Sequence, residues 1–138
     1  MVRVLLVEDD DERATWMYTE LPGLDWDRAK NSKVALEKLR QVQQGQRPPP
    51  HLVMLDYDID RKGGGGQKAA AMLINQGYPG AVIIHSANPV GGPQIMITLR
   101  QHGFHPVYAP VFHSDSPRVW RNVAAQVRQY VENGSLAF

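Results

Sequence analysis

The chain has 138 residues, a length that suits one domain with a buried core, and we expect a single domain over residues 1–138. A formal net charge of +1 gives no global electrostatic argument for binding to nucleic acid or membrane, and the absence of cysteine excludes disulfides and thiolate metal sites. No apolar run approaches the roughly 20 residues that span a bilayer, and Arg3 breaks any signal-peptide pattern. We therefore expect a cytoplasmic protein with no membrane contact.

The first half of the chain alternates between strand and helix patterns. A β-rich segment, residues 2–7, runs into the acidic stretch 8–12. Apolar residues at helical spacing follow and end at a Pro-Gly pair, and we place a short strand at about residues 25–30. Ser32 is the predicted N-cap of the next helix, which ends before Gly45 and a three-proline linker.

The linker leads into a short apolar run, residues 52–55, that ends abruptly in alternating carboxylates. Such a run predicts a strand buried on both faces, which places Asp56 and Asp58 at its carboxyl end. Ligands bind at this end of the strands in open α/β sheets. A buried Asp56 without a counter-charge would be costly, so the sequence predicts a metal ion or a basic partner beside it.

The second half repeats the alternation of elements. A glycine-rich loop, residues 61–66, precedes a predicted helix at about 67–76 and a buried strand at 81–85. The glycine-rich loop lacks the Lys-Ser or Lys-Thr pair of a Walker phosphate-binding loop, and we interpret it as a connecting loop. Another helix, a short strand at 107–109 and a last helix beginning with Ser116-Pro117 complete the chain.

Five strand–helix units in this length predict an α/β fold of the flavodoxin-like, doubly wound type. We expect a five-stranded parallel sheet in the order 2-1-3-4-5 with helices on both faces. In that order strands 1, 3 and 4 are neighbours. Their carboxyl ends would bring Asp9, Asp10 and Asp56 together with His85 and Ser86 at one edge of the sheet.

These residues resemble the receiver domains of two-component response regulators over nearly the whole chain. The resemblance rests on Glu8-Asp9-Asp10 after the first strand, Asp56 at the end of the third and Ser86-Ala87 at the end of the fourth. It implies an acidic pocket that holds Mg²⁺ or Mn²⁺ through Asp9 or Asp10 and Asp56, and we assign all three as metal ligands. Asp56 takes the phosphoacceptor position and Ser86 that of the phosphate-sensing hydroxyl. Mg²⁺ prefers such oxygen ligands.

The chain departs from typical receivers at the fifth strand. Ala109-Pro110 stands where receivers have Lys-Pro, whose lysine contacts the phosphoryl group, and the position of the usual aromatic switch residue is Pro106. Loss of the ammonium group removes a charge-assisted contact worth roughly 1.5–3 kcal/mol. The resemblance also implies a cis peptide bond between Ala109 and Pro110.

A narrower resemblance accounts for other residues of the same edge. Leu55-Asp56-Tyr57-Asp58 and the string His85-Ser86-Ala87-Asn88-Pro89 are similar to cyclic-phosphate processing receiver domains. This resemblance implies a cyclic phosphate (phosphodiester) substrate on a small molecule or an RNA end. It implies catalytic roles for Asp56, His85 and Asp58, with His85 as the proton donor or base, and phosphate binding by Ser86 and Asn88.

Three functions follow from these observations. The first is metal-dependent processing of a cyclic phosphate. The second is a response-regulator receiver in a phosphorelay, phosphorylated on Asp56 and read by a signalling protein partner. The third is a receiver-like docking module without activity, for which a homodimer is one arrangement. Each site residue also has a structural interpretation: acids favour a helix N-terminus, and His85, Ser86 and Asn88 can bond to nearby backbone.

Overall fold

Strands and helices alternate throughout the described part of the chain. The structure is a computed structural model, and it describes residues 2–59, 65–86, 90–110 and 116–133. In chain order the elements are β1 (Arg3–Val7), α1 (Asp11–Glu20), β2 (Asp25–Ala29), α2 (Ser32–Gln43), β3 (Leu52–Leu55), α3 (Gly65–Gln76), β4 (Ala81–Ser86), α4 (Gly91–Gln101), β5 (Val107–Pro110) and α5 (Ser116–Asn133).

The five strands form one parallel sheet in the order β2-β1-β3-β4-β5, which confirms the predicted topology. All four residues of β3 are buried, as are five of the six residues of β4. Strands covered on both faces must be apolar at consecutive positions, which explains the continuous apolar runs in the sequence. The fold is the expected flavodoxin-like α/β type.

Helices cover both faces of the sheet because successive strand residues point to opposite sides. Leu5 and Val7 of β1 pack with α2, α3 and α4 in one core cluster. Val4 and Leu6 pack with α1 and α5 in the other, where the buried indole of Trp120 lies. None of the described helices is both long and apolar enough to cross a lipid bilayer.

Two local expectations were wrong. The N-cap of α2 is Asn31, whose side-chain oxygen accepts a hydrogen bond from the Val34 N–H at 2.8 Å, and Ser32 is the first residue of the helix. No peptide bond in the described part of the chain is cis, so the Ala109–Pro110 bond has the ordinary trans geometry. A peptide bond before proline favours trans by about 0.5–1 kcal/mol unless its surroundings oppose it.

Backbone hydrogen bonds continue beyond the strand ends and fix the residues that follow them. The N–H of Glu8 donates to the carbonyl of Ala29 at 3.0 Å, and the N–H of Asp56 donates to the carbonyl of Val7 at 3.2 Å. The residues after β1 and β3 are therefore held by the sheet although they lie outside the strands. This positions two carboxylates at the same edge.

Candidate functional site

Glu8 lies at the carboxyl edge of the sheet, directly after β1, and its side chain is fully buried. Its Oε1 accepts hydrogen bonds from Nε of Arg13 at 2.9 Å and from the backbone N–H of Asp10 at 3.0 Å. Its Oε2 lies 3.2 Å from Nδ1 of His85. Burial acts to raise the pKa of Glu8, but contacts with His85, Asp10 and Arg13 outweigh it and lower the pKa to about 2.

Asp56 follows β3 and is also buried, with 3% of its surface exposed. Its Oδ1 accepts a hydrogen bond from the backbone N–H of Asp58 at 3.2 Å, and its Oδ2 lies 3.4 Å from Nη2 of Arg13. Burial raises the pKa of Asp56 to about 6, since the nearby charge of Glu8 adds to this effect and His85 and Arg13 offset only part of it.

Three carboxylates converge at this edge: those of Glu8, Asp9 and Asp56. One oxygen of each lies within 4.8 Å of the others. We call these three residues the acidic cluster. Asp9 is its exposed member, and burial together with the charge of Glu8 raises the pKa of Asp9. The sequence prediction placed Asp9 and Asp56 correctly at one edge of the sheet.

Asp10, the third predicted metal ligand, is not part of the acidic cluster. It is the N-cap of α1, and its Oδ1 accepts a hydrogen bond from the Arg13 N–H at 2.8 Å. Glu8 takes the place in the cluster that the sequence prediction gave to Asp10. The reason is that the chain turns into the helix at Asp10, so its side chain faces the first turn of α1 rather than the sheet edge.

The imidazole of His85 faces the acidic cluster, as expected, and is completely buried. Nδ1 makes a 3.2 Å ion-pair contact with Oε2 of Glu8, and no hydrogen-bond partner of Nε2 lies within the described ranges. Ser86 is buried at the end of β4, opposite Pro110 of β5. Both predicted residues of β4 therefore lie at the carboxyl edge.

Two further residues, Asp58 and Asn88, were predicted for the site. Asp58 is exposed and reaches the site through its backbone N–H, which bonds to Asp56. Asn88 lies outside the described residues, as do Ala87 and Pro89.

Sequence reasoning missed Arg13, the basic partner that a buried Asp56 requires. Its Nη2 lies 2.8 Å from Glu8 Oε1, 3.5 Å from Asp9 Oδ1 and 3.4 Å from Asp56 Oδ2. Burial acts to lower the pKa of Arg13, but hydrogen bonding to Glu8 and the neighbouring carboxylates raise it. The four-residue spacing between Asp9 and Arg13 at the start of a helix was the available signal.

The acidic cluster fits a divalent metal ion. All its donors are carboxylate oxygens, which Mg²⁺ and Mn²⁺ prefer. Oε2 of Glu8 is buried, and its contact among the described residues is the 3.2 Å approach of His85 Nδ1, so this oxygen keeps a lone pair for an ion. One oxygen of each carboxylate lies within 4.8 Å of the others, so the three residues would be able to hold one ion together after side-chain movement.

Known proteins agree with this picture at the level of family and fold. Residues 4–101 match the model of the Cyclic-phosphate processing Receiver domain. No curated protein sequence matches the chain.

Several solved structures share the fold. The Mn(2+)-bound form of response regulator Rcp1 has a TM-score of 0.68 and 16% identity, with all of both chains covered. The receiver domain of the Francisella response regulator 1452 has a TM-score of 0.69 and 19% identity over 98% of this chain and 100% of that chain. The phosphorylated cyanobacterial phytochrome response regulator RcpA has a TM-score of 0.66 and 15% identity, over 97% and 96%. At these identities the similarity shows the fold alone.

Proposed function

The chain belongs to the cyclic-phosphate processing receiver domains, and from this membership we propose that it acts on a cyclic phosphodiester with a divalent metal ion. The observation that carries the proposal is the convergence of the Glu8, Asp9 and Asp56 carboxylates beside the His85 imidazole. A cyclic phosphate on a small molecule or an RNA end is the substrate class. The site is acidic, so an anionic substrate needs a cation to approach it.

Glu8, Asp9 and Asp56 would hold the ion, Mg²⁺ or Mn²⁺. A bound ion of this kind neutralises phosphate charge and polarises the P–O bonds. A response regulator that shares this fold has been solved in an Mn(2+)-bound form, which supports a divalent ion as part of the proposal. Asp10 keeps its role as a helix cap in this proposal, which differs from its sequence-based assignment as a ligand.

His85 has two possible roles in this function: it transfers a proton to or from the substrate, or it positions the Glu8 carboxylate. Opening a cyclic phosphodiester with water requires a base for the water and a proton for the leaving oxygen, and an imidazole supplies either. Because His85 is fully buried with Nδ1 facing Glu8, direct proton exchange with substrate requires a local opening of the edge. In its present position the imidazole instead orients a metal-binding carboxylate, as outer-shell groups do in metal sites.

The remaining predicted residues complete the proposal. The Ser86 hydroxyl and Asn88 amide would donate hydrogen bonds to phosphate oxygens, and Asp58 would act as a second base at the exposed rim. Ser86 is the last residue of β4, at the carboxyl edge of the sheet that also carries the acidic cluster, which supports its role. Asp58 is exposed, so a base there would exchange protons with solvent.

A second candidate function is phosphoryl acceptance by Asp56, followed by recognition by a signalling protein partner. The position of Asp56 directly after β3, in a fold shared with a phosphorylated response regulator, favours it. Ala109 opposes it, because no ammonium group extends from that position of β5 toward a phosphorylated Asp56.

One experiment separates the functions. The protein is incubated with Mg²⁺ or Mn²⁺ and either a 2′,3′-cyclic nucleotide or acetyl phosphate, and products and intact mass are measured. We expect metal-dependent opening of the cyclic nucleotide that is lost in Asp56→Asn and Glu8→Gln, whereas Asp25→Asn, a change of an exposed acid at the start of β2, retains it. A mass gain from acetyl phosphate without ring opening supports the receiver function. If the protein shows neither ring opening nor a mass gain, the docking module is supported.

His85→Gln decides between the two roles of the imidazole. If His85 orients Glu8, the substitution weakens Mn²⁺ binding and lowers turnover in proportion. If His85 transfers a proton, Mn²⁺ binding is unchanged and turnover is lost. Titration calorimetry with Mn²⁺, beside the cyclic nucleotide assay, gives both quantities.

A further inference from the structure

The guanidinium group of Arg13 lies between the carboxylates that the proposed metal site uses. Nη2 approaches all three members of the acidic cluster, at 2.8 Å from Glu8, 3.4 Å from Asp56 and 3.5 Å from Asp9. Within the described part of the chain, Asp56 has its ion pair with Arg13. The same three acids cannot give their full charge both to this guanidinium and to a divalent ion, so the two cations compete.

The contacts of Arg13 differ in strength. The two contacts to Oε1 of Glu8 are short, at 2.9 Å from Nε and 2.8 Å from Nη2. The Glu8 side chain that accepts them is fully buried, so it has little room to move. The approaches to Asp56 and Asp9 are at the outer limit of a hydrogen bond. An ion that binds Asp56 and Asp9 would therefore displace Nη2 from these two acids first and leave Nε on Glu8.

A guanidinium anchored in this way can bind a phosphate. Its N–H groups form a planar fork that matches phosphate oxygens, and Nε on Glu8 fixes one edge of that fork. The strand on the other side of the site supplies no cation, because Ala109 is the β5 residue opposite His85. The Arg13 side chain is 21% exposed, so part of it is accessible to a substrate.

We propose that Arg13 is an ion-responsive phosphate-binding residue: it balances the acidic cluster when no divalent ion is present, and after an ion displaces it from Asp56 and Asp9 it binds the phosphate group of the substrate. This inference rests on the proposed metal site and adds to it a coupling between ion binding and phosphate binding. The order of binding follows, since phosphate binds well only after the ion.

The first test measures Mn²⁺ affinity by titration calorimetry in Arg13→Met, with Arg40→Met as the matched control. Arg40 is an exposed arginine on α2, paired with Glu37, so its replacement removes one charge far from the site. Removing a competing cation should tighten Mn²⁺ binding by about tenfold in Arg13→Met and leave it unchanged in Arg40→Met. If Arg13 only supports the shape of the site, Arg13→Met weakens Mn²⁺ binding, which would overturn the inference.

The second test measures binding of inorganic phosphate to the Mn²⁺-loaded proteins. Arg13→Met should lose roughly tenfold or more in phosphate affinity, and Arg13→Lys should lose less because it keeps the charge without the fork. Unchanged phosphate binding in Arg13→Met contradicts the inference. Circular dichroism of both variants verifies folding. If Arg13→Met does not fold, Arg13→Gln, which also removes the charge, replaces it in both tests.

The two levels of the proposal fail in different ways. Wild-type protein that binds no Mn²⁺, or binds it equally well as Asp56→Asn, overturns the metal site and with it the role of Arg13. Mn²⁺ binding that depends on Asp56 but is weakened by Arg13→Met overturns the role of Arg13 alone. Turnover of a cyclic nucleotide is not needed for either reading.

Discussion

Glu8 and Asp56 show how two carboxylates with nearly the same burial acquire opposite properties. Both side chains are almost completely shielded from water, and burial alone would raise both pKa values. Glu8 has compensation from His85, the Asp10 N–H and Arg13, and its pKa falls to about 2. Asp56 receives less compensation and also feels the charge of Glu8, so its pKa rises to about 6. At neutral pH the ionised Asp56 is therefore the destabilising member of the pair.

The first prediction concerns this charge. A carboxyl with a folded pKa of about 6 and an ordinary unfolded value of 3.8 stabilises the fold below pH 3.8, and this contribution is lost as pH rises through 6. In the presence of a chelator, ionisation of Asp56 should remove about 2 kcal/mol of unfolding free energy from wild type between pH 4.5 and pH 7.5. Asp56→Asn should not show this loss. Urea unfolding at pH 4.5 and 7.5 measures the difference.

Glu8 provides the control for the sign of that effect. Its pKa is lowered from 4.5 to about 2, so it stabilises the fold above pH 4.5 and this stability is lost as pH falls toward 2. The two acids thus act in opposite directions and mostly in separate pH ranges. An equal fall in stability between pH 4.5 and 7.5 in wild type and Asp56→Asn would refute the assignment to Asp56.

Sequence alone could not decide which acids of the Glu8-Asp9-Asp10 run face the site. Aspartate is favoured both as a metal ligand and as a helix N-cap, so the residue type does not distinguish the two roles. The choice depends on where the chain leaves the sheet and enters α1. That point is set by the hydrogen bond from the Glu8 N–H to Ala29, a contact between residues far apart in the sequence.

At the scale of the element, the start of α1 gives a second prediction. Asp10 accepts a hydrogen bond from the Arg13 N–H at 2.8 Å, and loss of such a cap costs about 1 kcal/mol. Asp10→Ala should lower the unfolding free energy by about this amount, whereas Asp10→Asn, which keeps the acceptor, should remain close to wild type. Mn²⁺ affinity should change less than twofold in Asp10→Asn. A large loss of Mn²⁺ affinity there would restore Asp10 as a ligand.

The start of α3 gives a third prediction. A methyl group at Gly66 would overlap the backbone carbonyl oxygen of Asp56 and lie 2.8 Å from Cα of Tyr57. Backbone atoms cannot move aside as a flexible side chain can, so Gly66→Ala should destabilise the protein by about 3 kcal/mol and disturb Asp56. Gly77→Ala is the comparison: it has open space but a φ of +61°, and should cost about 1 kcal/mol. Equal losses in urea unfolding would contradict this account.

The start of α3 shows why sequence patterns do not locate the ends of helices reliably. The predicted loop was residues 61–66, but Gly65 and Gly66 are the first two residues of α3. Glycine disfavours helix in isolation. Here the close approach of the helix to Asp56 admits only a residue without Cβ, and such packing cannot be read from the residue type. Residues 61–64 of that segment lie outside the described residues.

At the scale of the whole molecule, the topology was predictable because the physical rules that decide it are few. Short apolar runs followed by helical patterns require parallel strands with crossover helices, and the right-handed crossover rule restricts their order. The order β2-β1-β3-β4-β5 then brings Asp56 and His85 to one edge. Individual side-chain partners were not predictable. The ion pair of Arg13 with Asp56 joins residues 43 positions apart, and its existence depends on the final packing of α1.

The last prediction links the metal site to the stability of the whole fold. An ion that binds only the folded protein raises the unfolding free energy by RT ln(1 + [ion]/Kd), about 2.7 kcal/mol at one hundred times Kd. For a chain of 138 residues this corresponds to a rise in Tm of roughly 10 °C. Since the pKa of Asp56 is about 6, protons compete with the ion at lower pH, and the rise at fixed Mn²⁺ should shrink at pH 5.

Thermal unfolding followed by circular dichroism, in chelator and in Mn²⁺ at pH 7.5 and 5.0, measures this linkage. Glu8→Gln and Asp56→Asn should lose most of the rise at pH 7.5, because each removes a carboxylate of the acidic cluster. Asp25→Asn should keep it, because this exposed acid lies at the start of β2, remote from the carboxyl edge. A rise in Tm of equal size in Asp56→Asn would mean that Mn²⁺ stabilises the protein by binding at another site, and that the acidic cluster does not bind the ion.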